Sequence, residues 1–350
     1  MTTEILNISE NVSEIIKDEE QEKIKKAAQV IRNGGLVAFP TETVYGLGAD
    51  ATDENGAKKI YAAKGRPSDN PLIIHVACAE DAEKYAYTNE CYYRLAKAFM
   101  PGPLTVILPK KNTIPFSVTG GLDTVAVRCP SHPIANALIR ASGTAIAAPS
   151  ANISGSPSPT CAEHVIRDMT GRIDMIIDGG DCEIGLESTI IKLAGNNAIL
   201  LRPGAVTPDA LECVCEKVSI APAVTDELKE NERPLSPGMK YRHYAPSAPL
   251  ILLDGSDKDV LEFLKHAQKT ERCTILCYNE EIDFLQKENL IPVGKKNDLK
   301  KQAETLFAAL RQADTHDSDV IYAHLPTKDG LGLALYNRMI RAAAHTIKKI

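Results

Sequence analysis

No stretch of the 350-residue chain approaches the roughly 18 uncharged apolar residues that a membrane-crossing helix requires. No C-x-x-C pair occurs among the nine cysteines, at 78, 91, 129, 161, 182, 213, 215, 273 and 277. An odd number with no such pair suggests neither a disulfide framework nor a zinc finger. G-x-x-x-x-G-K-[ST] is missing too, so any ATP chemistry here proceeds without a P-loop, and the eight histidines show no H-E-x-x-H or comparable ligand spacing. The first 26 residues lack the apolar stretch of a signal peptide, which makes Asn-x-Ser matches such as those at Asn11 and Asn152 chance and points to reduced thiols in a cytoplasm.

What is present reads as globular. Forty Lys and Arg against 46 Asp and Glu give a net charge of −6, which argues against coating nucleic acid through bulk charge and leaves room only for a local basic cleft. Apolar residues at 44% and charged residues at 25% match average usage, and the length predicts two domains. Ile24, Ala27, Ala28 and Ile31 fall at helical spacing before Asn33-Gly34-Gly35. Asp53 is set to cap a helix reaching about Ala63, further helices are expected near 80–85 and 91–99, Pro133 is set to open another, and Thr160 to Glu163 to form a capping box. Short strands are predicted at 36–39, 72–76, 104–108, 125–128, 145–148, 175–177, 189–193 and 199–202. Several follow one another directly, which favours an α/β fold with a mixed twisted sheet. The expected order is a tail at 1–20, a catalytic domain at 21–219, a Pro-rich linker at 220–249 and a small α/β Rossmann-like domain at 250–350.

The motifs each admit a plain structural reading. Gly46-Leu-Gly48-Ala-Asp-Ala51 imitates a dinucleotide fingerprint, but a Pro-Thr-Glu-Thr segment precedes it and a polar turn follows, so that reading fails on context. Lys64 and Arg66 stand one residue apart beside Ser68 and Asn70, supplying a point charge, a guanidinium fork and neutral donors for a polyphosphate; the plain alternative is a solvated basic helix end. His75 inside LIIHV reads first as a satisfied core residue. Arg128 ends an alternating strand, where it either meets solvent or grips a carboxylate. Ala147 to Asn152 places small residues where backbone can approach a ligand, with Ser150 and Asn152 as donors, or where it simply packs tightly. Ser154 to Pro159 extends it as a candidate flap.

Taken together, PTETVYGLGADA (40–51), KGRPSDNPL (64–72), PGPLT (101–105), VAVRCPSHP (125–133), APSANISG (148–155), STII (188–191) and LRPGA (201–205) resemble the YrdC-like threonylcarbamoyl-AMP synthase family. Tyr241-Arg-His-Tyr244-Ala-Pro and the trailing α/β segment resemble its longer, two-domain branch. The resemblance implies a sheet with an open cleft and a nucleotidyltransferase joining L-threonine, bicarbonate and ATP, with Mg²⁺, into threonylcarbamoyl-adenylate and pyrophosphate. That product would feed a downstream threonylcarbamoyl transferase and threonylcarbamoyladenosine in tRNA, with possible direct tRNA contact. It implies Lys64, Arg66, Ser150 and Asn152 as catalytic residues. Arg66, Asn70, Thr124, Ser150, Ser158, Arg202 and Tyr244 would contact ATP, while Thr43, His75, Arg128, the backbone at Ala148, and Ser188 would hold threonine. No metal-ligating residue and no general base stands out. Two other readings are a carbamoyl-adenylate enzyme of hydrogenase maturation, whose expected C-x-x-C pairs are missing, and an RNA-binding module without catalysis.

Overall fold

The structure is a computed structural model that describes residues 2–8, 18–226 and 244–350. The chain divides into two compact units, the first comprising 1–154, 158–183 and 187–240 and the second 155–157, 184–186 and 241–350. The centre of the Pro-rich linker, with Tyr241, Arg242 and His243, lies outside the described residues.

The first unit begins with β1 (Glu4–Asn7), α1 (Asp18–Arg32), β2 (Val37–Phe39), β3 (Gly46–Asp50), α2 (Glu54–Lys64) and β4 (Ile73–His75). It continues through α3 (Glu90–Phe99), β5 (Leu104–Pro109), α4 (Phe116–Thr119), β6 (Thr124–Arg128), α5 (Pro133–Ser142) and β7 (Ile146–Ala147). It closes with α6 (Ala162–Met169), β8 (Met175–Asp178), β9 (Thr189–Ala194), β10 (Asn197–Arg202), α7 (Pro208–Glu212) and β11 (Val218–Ile220). Among the described residues these strands form one 11-stranded sheet, ordered β1-β8-β2-β3-β7-β4-β6-β5-β9-β10-β11. Its pairings are mixed as the sequence leads one to expect: β4 with β6 and β5 with β9 are parallel, whereas β5 with β6 and β9 with β10 are antiparallel.

Local chemistry explains most of these elements. On α1, Ile24, Ala27, Ala28 and Ile31 are buried in a core shared with Ile134 and Leu138 of α5 and with Val37 and Phe39 of β2. Each such isoleucine contributes about 1.5–3 kcal/mol by leaving water. Asp53 caps α2 by accepting from the Asn55 amide, and Gly65 ends that helix at φ +63°, a conformation costly for a residue with a Cβ. Three expectations fail. Residues 4–7, placed in the N-terminal tail, add a strand parallel to β8. The helix expected at 80–85 is a 3₁₀ turn over Ala79–Lys84. The capping box does not form: Cys161 occupies the cap without a side-chain bond, because the Thr160 carbonyl accepts from the Cys182 amide and its own amide turns to His164 Nδ1.

The second unit holds β12 (Leu250–Asp254), α8 (Asp257–Thr270), β13 (Cys273–Cys277), β14 (Leu290–Pro292), α9 (Leu299–Ala313), β15 (Val320–His324), α10 (Gly332–Ala342) and β16 (Ile347–Lys349). Its five described strands run parallel in the order β14-β13-β15-β12-β16, around a core that includes Val260, Leu264, Ile275 and Tyr322.

Candidate active site

The middle of the first sheet sets a row of polar side chains on one face. His75 on β4 and Thr105 on β5 both stand in register with Arg128 on β6. All three are buried, and partners in register share a face. Thr105 Oγ1 lies 2.8 Å from Ser188 Oγ, the residue before β9. Arg202, at the end of β10, donates from Nη2 to Ser188 Oγ at 3.1 Å and from Nε to the Ser188 carbonyl at 3.0 Å. Thr189 faces Leu104 in the β5–β9 ladder, which brings Ser188 beside the row.

His75 donates from Nδ1 to the Ile146 carbonyl at 3.3 Å, since a carbonyl can only accept. Burial, and next the Arg128 guanidinium, push its pKa down to about 3, so the ring is neutral at any ordinary pH. It is a core histidine and a wall of the site at once.

The segment before β3 meets the row at Arg128. Thr41 donates to the Val44 carbonyl at 2.7 Å and lies 2.9 Å from the Thr43 hydroxyl, so the turn presents two buried hydroxyls. Between them Glu42 places Oε1 2.8 Å from Arg128 Nη2. That contact is an ion pair without hydrogen-bond geometry. Glu42 Oε1 and Oε2 and Arg128 Nε and Nη2 are all buried with no hydrogen-bond partner among the described residues.

The cation pair at the end of α2 is split by the fold. Lys64 is 1% exposed, and its Nζ donates to the carbonyls of Ser150 and Asn152 and to Asn152 Oδ1 at 3.3 Å. Ser150 Oγ also bonds Asn152 Oδ1. The expected projecting point charge thus sits inside the 150–152 loop and fixes its shape. Arg66 is half-buried and spans the next loop, donating to the carbonyls of Asn70 at 3.3 Å and Pro71 at 3.1 Å. Asn70 is buried with Oδ1 unpartnered among the described residues. Because β4 and β6 run parallel, Arg66 and Asn70 lead in at the end where Thr124 starts β6, whereas His75 and Arg128 finish at the other end. Thr124 and Arg128 share a face about 13 Å apart at the usual strand rise.

Three expected residues stand apart from this row. Ser158 Oγ donates to Glu187 Oε1 at 2.6 Å. The Ala148 amide is occupied by the Ile73 carbonyl. Tyr244 belongs to the second unit, where it is buried at φ +62° with its ring 5.0 Å from Phe307. Thr41, Glu42 and Thr105 escaped the sequence reading although each lies inside a quoted motif; the signal that could have found them is a charged or hydroxyl residue in an otherwise apolar, strand-flanking segment. A 710 Å³ depression lined by Val30, Lys59, Arg172 and Asp174 includes none of these side chains.

The two glycines of the false fingerprint serve packing. A Cβ on Gly48 would meet Ile146 Cγ2 at 2.7 Å and Phe39 Cε1 at 2.8 Å, so β3 is thin there to let neighbouring side chains cross it.

A family model described as telomere recombination, covering Sua5, YciO and YrdC proteins, matches residues 29–204. A second, described as the C-terminal domain of threonylcarbamoyl-AMP synthase, matches residues 206–344. Threonylcarbamoyl-AMP synthase of Pyrococcus abyssi is 45% identical over 99% of this chain and 100% of its own length. Its counterpart in Bacillus subtilis is 45% identical over 92% and 93%. The crystal structure of P. abyssi Sua5 complexed with L-threonine superposes with a TM-score of 0.89 at 45% identity, covering 99% of this chain and 100% of that one.

Proposed function

We propose a reaction and a division of labour within its site from one premise: the chain belongs to the two-domain threonylcarbamoyl-AMP synthase family. It joins L-threonine, bicarbonate and ATP into L-threonylcarbamoyladenylate and releases pyrophosphate. The observation that carries this reading is Arg128, a buried guanidinium with two unsatisfied nitrogens in a ring of hydroxyls, which suits a small hydroxy amino acid. Arg128 takes the carboxylate, and Thr43, His75 or Ser188 reads the hydroxyl. A dry site built for a hydroxyl rejects the analogue lacking it strongly, because its own polar groups would be left unpaired. The Ala148 backbone would join them only through its carbonyl, since its amide is taken by the Ile73 carbonyl.

ATP meets Arg66, Asn70 and Thr124 toward the other end of β6, with Ser150 and Ser158 beside it and Arg202 reaching it from its bonds to Ser188. The adenylation step joins a carbamate oxygen to the α-phosphorus and expels pyrophosphate. Charge then grows on phosphoryl oxygens, which Arg66 and the Lys64-ordered Ser150 and Asn152 stabilise by position and charge. Mg²⁺ would arrive on the ATP phosphates and offset their charge. A threonylcarbamoyl transferase acting on tRNA then consumes the labile adenylate. We place the reaction in the cytoplasm: all nine cysteines are free thiols, and among the described residues no helix is long and apolar enough to cross a membrane.

The alternatives weighed above are not favoured. Hydrogenase-type chemistry lacks its cysteine pairs, and a passive RNA module gives no reason for the buried amino-acid row. Carbon-labelled bicarbonate tests the proposal: label should enter an ATP-dependent adduct only when threonine is present, and label incorporated without threonine would contradict it.

A further inference from the structure

Glu42 and Arg128 meet at 2.8 Å with side chains 5% exposed, yet four of their polar atoms make no hydrogen bond among the described residues. A structural ion pair in such a place is ordinarily bidentate, because only saturated hydrogen bonding offsets the cost of drying two charges. Here the orphaned set is two carboxylate oxygens opposite two guanidinium nitrogens. An α-amino acid zwitterion supplies the complement of both: a carboxylate that accepts from Arg128 and an ammonium that donates to Glu42.

We propose that Glu42 receives the α-ammonium of the amino-acid substrate opposite Arg128 and takes one of its protons, leaving the free amine that carboxylation requires. This rests on the synthase reading above. The ammonium N–H bond breaks with its electron pair remaining on nitrogen, and the proton goes to a Glu42 oxygen. The nitrogen lone pair then bonds the bicarbonate carbon. The C–OH bond of bicarbonate breaks, hydroxide departs with a second N–H proton as water, and the carbamate anion remains for adenylation. Protonated Glu42 returns its proton to solvent, so each turnover releases one proton.

The other groups around Glu42 are unsuited to the task. Burial pushes the thiols of Cys129, just after β6, to about 12 and of Cys182 higher still, so both stay protonated. His132, at the start of α5, is held below the ordinary histidine range by burial, with the Glu42 charge opposing. His75 on β4 has a pKa of about 3 and would return a proton at once. Arg128 carries a proton permanently. Glu42 is the carboxylate that faces the guanidinium.

The test compares wild type with Glu42→Gln and Glu42→Asp in the full chain, by calorimetry with L-threonine and with 3-hydroxybutanoate, the same acid without its ammonium. Glu42→Gln should weaken threonine about tenfold to a hundredfold, as for a lost buried charge partner, while 3-hydroxybutanoate binds as well or better because Arg128 is no longer shared. Its pyrophosphate release should climb about tenfold per pH unit from 6 toward 9, since solvent must now remove the proton, whereas wild type climbs less steeply. Glu42→Asp keeps the charge but withdraws it; threonine should weaken less than in Glu42→Gln, with 3-hydroxybutanoate unaffected, and this variant decides the matter if Glu42→Gln does not fold. Equal weakening of both ligands, or a Glu42→Gln enzyme with the wild-type pH profile, would overturn the role. Wild-type protein that neither binds threonine nor releases pyrophosphate would overturn the synthase reading, and this proposal with it.

Discussion

Arg128→Lys is the informative change at the centre of the row. Alanine would strand Glu42 as a buried charge, which costs about 3–5 kcal/mol and confounds function with folding. Lysine keeps the charge beside Glu42 but loses the planar fork. Threonine KM should therefore rise tens of fold while ATP KM stays near wild type, a split that steady-state kinetics reads directly. Lys64→Ala should behave differently. Its Nζ has three acceptors in the 150–152 loop, so removal leaves buried carbonyls unsatisfied at about 1–3 kcal/mol each. Turnover should fall together with Tm, and a variant that lost turnover at unchanged Tm would return Lys64 to a direct phosphate role. His75 makes a pH prediction. Its folded pKa of about 3 lies below the unfolded value near 6.5, so between these the unfolded chain binds the extra proton. The stability is present above pH 6.5 and is lost as pH falls, approaching 1.4 kcal/mol per unit. Denaturant unfolding at pH 7 and pH 5 should show wild type losing more than His75→Gln.

At the level of elements, the strongly periodic pieces were legible in the sequence: α1 by its apolar stripe, α2 by its Asp53 cap, and the alternating strand ending in Arg128. Elements with no local signature were not. β3 is missing from the expected strands because its glycines answer to side chains of neighbouring strands, Phe39 of β2 and Ile146 of β7, which only the fold brings together. β1 is too short and too polar to announce itself and exists because β8 offers an edge. The same logic governs LRPGA: a Cβ on Gly204 would meet the Thr189 amide at 2.6 Å, and that strand start adjoins Ser188. Gly204→Ala should push β9 away from its place, raising threonine KM several fold or more and lowering Tm. Normal kinetics in this variant would show that the β9 start tolerates movement.

For the molecule as a whole, the candidate site divided cleanly into what sequence order can and cannot reveal. Residue types inside quoted motifs were visible, and their chemistry followed from type alone. Pairings such as Thr105 with Ser188, or Glu42 with Arg128, join segments 83 residues apart in the first case and a loop to a distant strand in the second, and only the fold creates them. The first unit's end was also hidden. Cutting after Val218 looks safe from composition, yet Ala223 and Val224 are buried and Ala223 shares a core with Ile73, Ala126 and Ile190. A chain ending at Asp226 should melt roughly 5 °C higher than one ending at Val218, as burying a valine would give in a unit of this size.

The central claim is that the row around Arg128 admits L-threonine to a site where it is carboxylated and adenylated. Pyrophosphate release, followed with ATP, Mg²⁺ and bicarbonate and with either L-threonine or L-valine, tests it most directly. Threonine should support turnover that vanishes without bicarbonate, and valine, near in shape but lacking the hydroxyl, should support less than a hundredth of it. Equal rates with valine, or undiminished release without bicarbonate, would contradict the account.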